Sequence, residues 1–206
     1  MITAENTKIS DGGGFDRISA AMARHGMKIP PERVHIAIPG ARDVLFRAIS
    51  HFLSLEGKKA VWLPAYEKVA QWLTDNQGRG LFLYGNCGQG KSLLCRYVIP
   101  SILLGYAGKV VSVFDIQDMN AAPDVVLSKH ILALDDIGTE EQSVKYGERR
   151  MVFAEVMDKA EKEGKLVIIS TNLGKNDLEE RYGDRIFDRI IATTVRVKFE
   201  GKSLRS

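Results

Sequence analysis

The octet Gly85-Asn86-Cys87-Gly88-Gln89-Gly90-Lys91-Ser92, followed by Leu93, has the types and spacing of a phosphate-binding loop, G-x-x-x-x-G-K-[ST]. Glycines let such a backbone curl so that its N–H groups converge on phosphate oxygens, and the N-terminus of the next helix adds partial positive charge. Lys91 would reach the β- and γ-phosphates, and the Ser92 hydroxyl would ligate Mg²⁺. A second constellation is Ile131-Leu132-Ala133-Leu134-Asp135-Asp136, four apolar residues feeding two acids, the pattern of a Walker B element. Asp135 suits the Mg²⁺ shell opposite Ser92, because magnesium takes one or two carboxylates together with phosphate oxygens and water. Asp136 would polarise an attacking water; the blander reading makes both acids strand-end caps. Ser170-Thr171-Asn172 ends another apolar run. The Asn172 amide there can bond a γ-phosphate and a lytic water, or simply open a loop.

Arg181, Arg185 and Arg189 recur every four residues from Leu178 to Arg189, which predicts one helix with all three on one face, capped by Asn176 with Glu179 three residues on. Two uses of that stripe balance each other. Glu180, Asp184 and Asp188 follow the same spacing and could pair with the arginines in a solvated ladder. Alternatively one guanidinium is an arginine finger, offered to a neighbouring subunit's γ-phosphate.

These residues need strands to carry them and helices to cover the strands. Apolar runs at 81–84, 110–114, 131–134, 166–169 and 194–197 read as strands, and near-continuous rather than alternating apolarity is what burial on both faces requires. A helix is expected from about Glu148 to Glu163, ended by Gly164. Pro100 should kink or end the helix after the phosphate loop about two turns in. The fold expected is α/β: a five-stranded parallel P-loop NTPase sheet flanked by helices. Ahead of it stand a Gly-rich tail (1–14), a short helix over 15–25, an amphipathic helix from Asp43, and another beginning at Pro64. The expected division is an extension over 1–59 and the nucleotide-binding domain over 60–206.

Composition sets looser bounds. The chain of 206 residues is 45% hydrophobic with net charge +3, enough for a core and too little charge to announce nucleic acid. No apolar run is long enough for a membrane span, and the first residues lack an apolar signal core, so the cytoplasm is the expected compartment. Cys87 and Cys95 form neither a metal set nor a plausible disulfide. No Asn-Lys-x-Asp follows the fourth strand, which disfavours a guanine-specific switch, and no acceptor pocket or closing lid is evident for a small-molecule phosphotransferase.

Taken in order, Gly80-Leu81-Phe82-Leu83-Tyr84-Gly85 with its loop, Leu134-Asp135-Asp136-Ile137-Gly138, Ser170-Thr171-Asn172-Leu173 and Arg181-Tyr182-Gly183-Asp184-Arg185-Ile186-Phe187-Asp188-Arg189 resemble the AAA+ ATPases of the DnaC/DnaI helicase-loader and IstB transposition-helper group. The resemblance covers about residues 60–206. It implies a sheet (AAA+, ASCE-type) whose sensor strand lies between the P-loop and Walker B strands, and no C-terminal helical lid. It also implies ATP with Mg²⁺, self-association through fingers with Arg189 first and Arg185 second, and a second sensor at Arg205. The partners it implies are a replicative helicase or a transposase, with single-stranded DNA as a further possibility. The short 115–130 segment and an N-terminal region without Cys depart from the group's pattern in the DNA-contacting and helicase-gripping parts. A non-hydrolysing nucleotide-dependent adaptor or inhibitor of a replication protein is the alternative from a different class.

Overall fold

The computed structural model describes residues 12–138, 144–145, 148–149 and 151–201. Two compact units are present, residues 1–31 and 32–206. In the first, α1 (Gly12–Arg24) starts three residues earlier than the sequence suggests, and the rest of the expected tail lies outside the described residues.

The second unit is built on a parallel sheet of five strands: β1 (Gly80–Gly85), β2 (Ser112–Phe114), β3 (Ile131–Ile137), β6 (Leu166–Thr171) and β7 (Thr194–Phe199). Their order across the sheet is β2-β3-β6-β1-β7, so the strand ending in Ser170-Thr171 lies between the strand carrying Asp135 and Asp136 and the strand leading into the glycine-rich loop, as the resemblance implies. Successive side chains of a strand point to opposite faces. Leu81, Leu83, Ala133, Leu166 and Ile168 accordingly enter one core, and Phe82, Leu132, Leu134, Val167 and Ile169 enter the other. In the central strands β3, β6 and β1 both faces are covered, which is why they read as near-continuous apolar runs, whereas the edge strand β7 exposes Arg196 and Lys198. The first core is closed by α2 (Ala41–Ser54), α3 (Pro64–Thr74) and the helical run after the phosphate loop. The second is closed by α8 (Val152–Glu163), α9 (Lys175–Tyr182), α10 (Asp184–Thr193) and the short helices α6 (Ile116–Ala121) and α7 (Pro123–Ser128).

The boundary expected near residue 60 is not where the compact unit begins. Val44, Leu45 and Ile49 of α2 are buried in the same core as Leu81 and Leu83, and residues 32–59 belong with the sheet. A buried amide ties this stretch down. Asn76, with no exposed surface, accepts from Ile36 N (2.8 Å) and donates to the carbonyls of Val34 (2.9 Å) and Arg79 (3.0 Å). One side chain thus joins the 34–36 segment to the loop that feeds β1.

Pro100 does not end its helix. The helical run passes from α4 (Lys91–Leu93) through a π-helix (Leu94–Val98) into α5 (Ile99–Ala107), with Ile99 N donating to Leu94 O. Proline has no N–H for the carbonyl four residues back, and its ring crowds that carbonyl. Switching to i→i−5 bonding widens the turn at that point, so the helix continues. The later helices also differ from expectation. Glu148–Arg149 (β5) pair with Val144–Lys145 (β4) as a two-residue ladder, and α8 starts at Val152.

Asn76→Ala removes these three hydrogen bonds and a fourth, from Gly78 N to Oδ1 (3.3 Å), and leaves buried partners unmatched, so it should cost about 2–4 kcal/mol of unfolding free energy. Urea denaturation followed by circular dichroism measures it; a loss under about 0.5 kcal/mol would show that Asn76 does not hold the 34–36 segment.

Candidate active site

Gly85, at the end of β1, opens the phosphate loop with φ 114°, and a Cβ there would strike the Phe199 carbonyl of β7. Only glycine fits so close an approach. The strand it belongs to pairs with β7 along its whole length, and the loop continues that pairing. Asn86 N donates to Phe199 O (2.9 Å), and Asn86 Nδ2 donates to Gly201 O (3.1 Å). Gly88 and Gly90 also take left-handed φ, and the chain then enters the helical run with Lys91, Ser92 and Leu93. Lys91 is buried at 6% exposure, its ammonium donating to Gly85 O (2.8 Å) and Asn86 O (2.7 Å). Its charge is thereby held inside the ring of the loop. Tyr66 of α3 forms the floor near Gly90, and burial pushes its phenol up to about 12, so it stays a neutral donor. Gln89 is buried at 3% exposure, and Cys87 is exposed.

The two acids come from β3, and a defect in the sheet presents them. The β3–β6 ladder runs in register to Leu134↔Ile169, shifts, and resumes at Ile137↔Thr171. Asp135 and Asp136 therefore stand against Ser170 alone, two residues facing one, as in a bulge. Asp136 takes φ 58°, a left-handed conformation that Asp tolerates better than most side chains. Ser170 Oγ supplies what the broken ladder lacks. It accepts from Asp136 N (3.0 Å) and donates to Asp135 Oδ1 in a short hydrogen bond. Asp135 is 3% exposed. Asn172, the next residue but one, donates from Nδ2 to Asp136 Oδ1 (2.9 Å), and Thr171 Oγ1 donates to Ile137 O (2.5 Å). In the sequence Ser170 carries no signal beyond its place in Ser170-Thr171-Asn172. Its bridging role was invisible because the register shift that creates it involves a strand 35 residues away.

Gly88, Gly90, Lys91, Ser92, Leu93, Asp136 and Asn172 line one cleft of about 360 Å³, to which α2 and the following turn add Leu53, Glu56 and Lys58, and the helices Tyr66 and Tyr97. Gly85, Asn86 and Cys87 line an adjoining hollow shared with Asn172 and Lys198. Behind the loop, burial first and the Asp135 charge second push the Cys95 thiol well up, so it remains a protonated packing group.

The arginine stripe is not one stripe. Gly183, with φ 80°, ends α9 at Tyr182 and lets α10 start afresh at Asp184, so Arg181 lies on a different helix from Arg185 and Arg189. α9 itself is capped by Asp177, whose carboxylate accepts from Gly174 N (3.0 Å), rather than by Asn176 with Glu179. The expected ladder with Glu180, Asp184 and Asp188 gives way at Arg189 to acids of α8. Its Nη1 pairs with Asp158 and its Nε donates to Glu161 Oε2 (2.8 Å), leaving the side chain 11% exposed. Arg185, one turn earlier, is exposed. Arg205 lies outside the described residues.

Ser170→Ala strands a buried carboxylate oxygen and the Asp136 amide together. It should lower unfolding free energy by about 1–3 kcal/mol, while Ser170→Thr, which restores the hydroxyl, should recover most of that. Guanidinium denaturation of the two variants tests this; equal losses in both would mean that volume, not the hydrogen bonds, matters at this position.

No family model matches the chain, and no curated protein sequence matches it. Solved structures do resemble it. The DnaC helicase loader aligns with TM-score 0.57 and 19% identity over 68% of this chain and 93% of that one. DnaI aligns with TM-score 0.50 and 16% identity over 97% of this chain and 88% of the other. AMPPCP-bound DnaA from Aquifex aeolicus aligns with TM-score 0.51 and 16% identity, over 71% of this chain and 50% of DnaA. At such identities the likeness is one of fold: the chain shares with these structures a five-stranded parallel sheet flanked by helices.

Proposed function

We propose that the chain is an ATP-binding and ATP-hydrolysing AAA+ protein of DNA replication, acting as a helicase loader or a related assembly factor. The observation that carries this reading is the meeting, at the carboxyl ends of β1, β3 and β6, of Lys91, Ser92, Asp136 and Asn172 around one cleft, with Asp135 next to Asp136 on β3 and held by Ser170. Ligands of open α/β sheets bind at that end of the strands. The site fits a nucleotide polyphosphate: its loop has the glycine conformations that turn N–H groups inward, and its cation is already inside the loop. It also fits magnesium, since a hydroxyl (Ser92) and a carboxylate (Asp135) are the hard oxygen donors that ion takes.

In this reading Lys91 exchanges the carbonyls of Gly85 and Asn86 for phosphate oxygens, and Ser92 with Asp135 would hold the metal. Bound magnesium would neutralise charge on the β- and γ-phosphates. Asn172 keeps the Asp136 carboxylate oriented, and Asp136 aligns the attacking water and draws on its proton. Positioning and charge stabilisation are the main catalytic resources in phosphoryl transfer. The nucleotide-binding domain is proposed to include residues 60–206 together with the 32–59 stretch that packs in the same core.

Completion of the site by a neighbouring subunit is part of the proposal. Arg189, first by alignment, is clasped by Asp158 and Glu161, whereas Arg185 is exposed on the same helix. Arg185 is therefore the finger we favour, and Arg205 is kept as a second sensor on resemblance alone. The proposed partner is a replicative helicase, on the likeness to a structure described as a helicase loader; a transposase and single-stranded DNA are secondary proposals without a structural observation behind them. The clasped Arg189 is also what favours the second reading, a nucleotide-dependent adaptor that turns over slowly or not at all.

Lys91→Ala should weaken ATP binding by about ten- to hundredfold, the worth of a charge-assisted contact, as measured by calorimetry. Unchanged affinity would remove the P-loop assignment. Arg185→Ala should leave ATP binding intact and remove, by about a thousandfold, the hydrolysis that rises with protein concentration. Turnover per molecule that is flat across concentration in the wild type would rule out a finger in trans.

A further inference from the structure

Asp135, the acid proposed for magnesium, already has a positive neighbour in its own chain. Arg96 Nη1 lies 3.5 Å from Asp135 Oδ2, while Ser170 Oγ bonds the other carboxylate oxygen. The Asp135 side chain is 5% exposed and that of Arg96 39% exposed, so a buried anion is matched by a cation with one foot in solvent. Arg96 sits in the π-helix, four residues after Ser92, on the side of the helical run that carries Ser92 towards β3. Wide turns of this kind recur at functional sites, because the extra residue re-aims the side chains of one turn. The sequence pattern of the phosphate loop ends at Ser92 and gives Arg96 no part.

This arrangement has a consequence for metal binding. A buried carboxylate without a countercharge is costly, so Asp135 needs a cation in every state of the protein. Arg96 supplies it when no nucleotide is present. A divalent ion arriving alone must displace or endure a guanidinium of its own sign at close range. An ion arriving with a polyphosphate brings negative charge with it, and Arg96, partly in water, is free to turn outward or toward the phosphates.

We infer that Arg96 is a resident countercharge for Asp135 that a divalent cation must displace, so that metal enters the site with the nucleotide rather than ahead of it. This rests on the nucleotide reading of the cleft. Arg96 is thereby a positioning and metal-gating residue, not a catalytic one.

The test is binding of Mn²⁺ followed by electron paramagnetic resonance of the free ion, with the full chain, alone and with AMPPCP. Arg96→Met, which keeps the aliphatic stem, should bind Mn²⁺ without nucleotide about fivefold more tightly than the wild type, a factor in keeping with a partly exposed ion pair. Arg96→Gln provides the same neutralisation if the methionine variant folds poorly. Arg96→Lys should match the wild type, and in an Asp135→Asn background the Arg96 substitution should change nothing. In thermal unfolding, MgCl₂ alone should raise the Tm of Arg96→Met more than that of the wild type. Mn²⁺ affinity in Arg96→Met or Arg96→Gln equal to or weaker than the wild type's, with Mn²⁺–AMPPCP binding preserved, overturns the inference and leaves the nucleotide reading standing. Arg96→Lys behaving like Arg96→Met overturns it as well, because charge would then not be the cause. A wild type that binds neither Mn²⁺–AMPPCP nor ATP overturns both.

Discussion

Between Leu134 and Ile137 the ladder joining β3 to β6 loses its register, and the hydroxyl of Ser170 takes over the bonding that the backbones give up. Much of the candidate chemistry hangs from that exchange. A regular strand would send Asp135 and Asp136 to opposite faces of the sheet, and one of them into an apolar core. The extra residue and the left-handed Asp136 bring both carboxylates to the sheet's end, one against Ser170 and Arg96, the other against Asn172. Because Ser170 lies near the end of β6 and Asn172 directly follows that strand, the same stretch of chain orients both acids. A shift of β6 relative to β3 would disturb them together.

The phosphate loop is anchored separately, to β7. Gly85 lies against the Phe199 carbonyl, and Asn86 bonds both Phe199 and Gly201. At the other end of β1, Arg79 Nη2 donates to Ile191 O (2.7 Å) and Thr194 O (2.5 Å), where α10 turns into β7. β1 is thus fastened at both ends to the segment that carries Arg185 and Arg189.

The parts legible in the sequence were those with a local pattern. Continuous apolar runs such as Leu166-Val167-Ile168-Ile169 identified strands covered on both faces, and the glycine spacing of Gly85 to Ser92 pointed to a tight turn ahead of a helix, which is the backbone observed. The place of β6 between β1 and β3 was implied by the resemblance and is the place observed. What stayed hidden depended on partners distant in sequence or on backbone that has no strong local signature. Four-residue spacing suggested one arginine stripe, but a single Gly183 at φ 80° splits the helix, and the acids that hold Arg189 stand about thirty residues upstream on α8. Pro100 signalled a break, and the π-helix absorbed it. The helix from Asp43 had a legible apolar face but not a legible partner for it; that face packs within its own unit, against α3 and the helical run that follows the loop, with Val44, Leu45 and Ile49 buried. Arg96 has no local signature, since its partner Asp135 lies on β3.

The central claim is that the loop, the β3 acids and Asn172 form one nucleotide site. Amide hydrogen exchange with and without Mg²⁺–AMPPCP reads it directly, because backbone N–H groups of the loop would become bonded to phosphate. Protection should rise together at residues 86–92, 135–136 and 172, with little change in the pocket formed by Arg33, His35 and His130 at another part of the unit. Unchanged exchange across the loop at saturating nucleotide, or protection confined to residues away from 86–92 and 135–136, would contradict it.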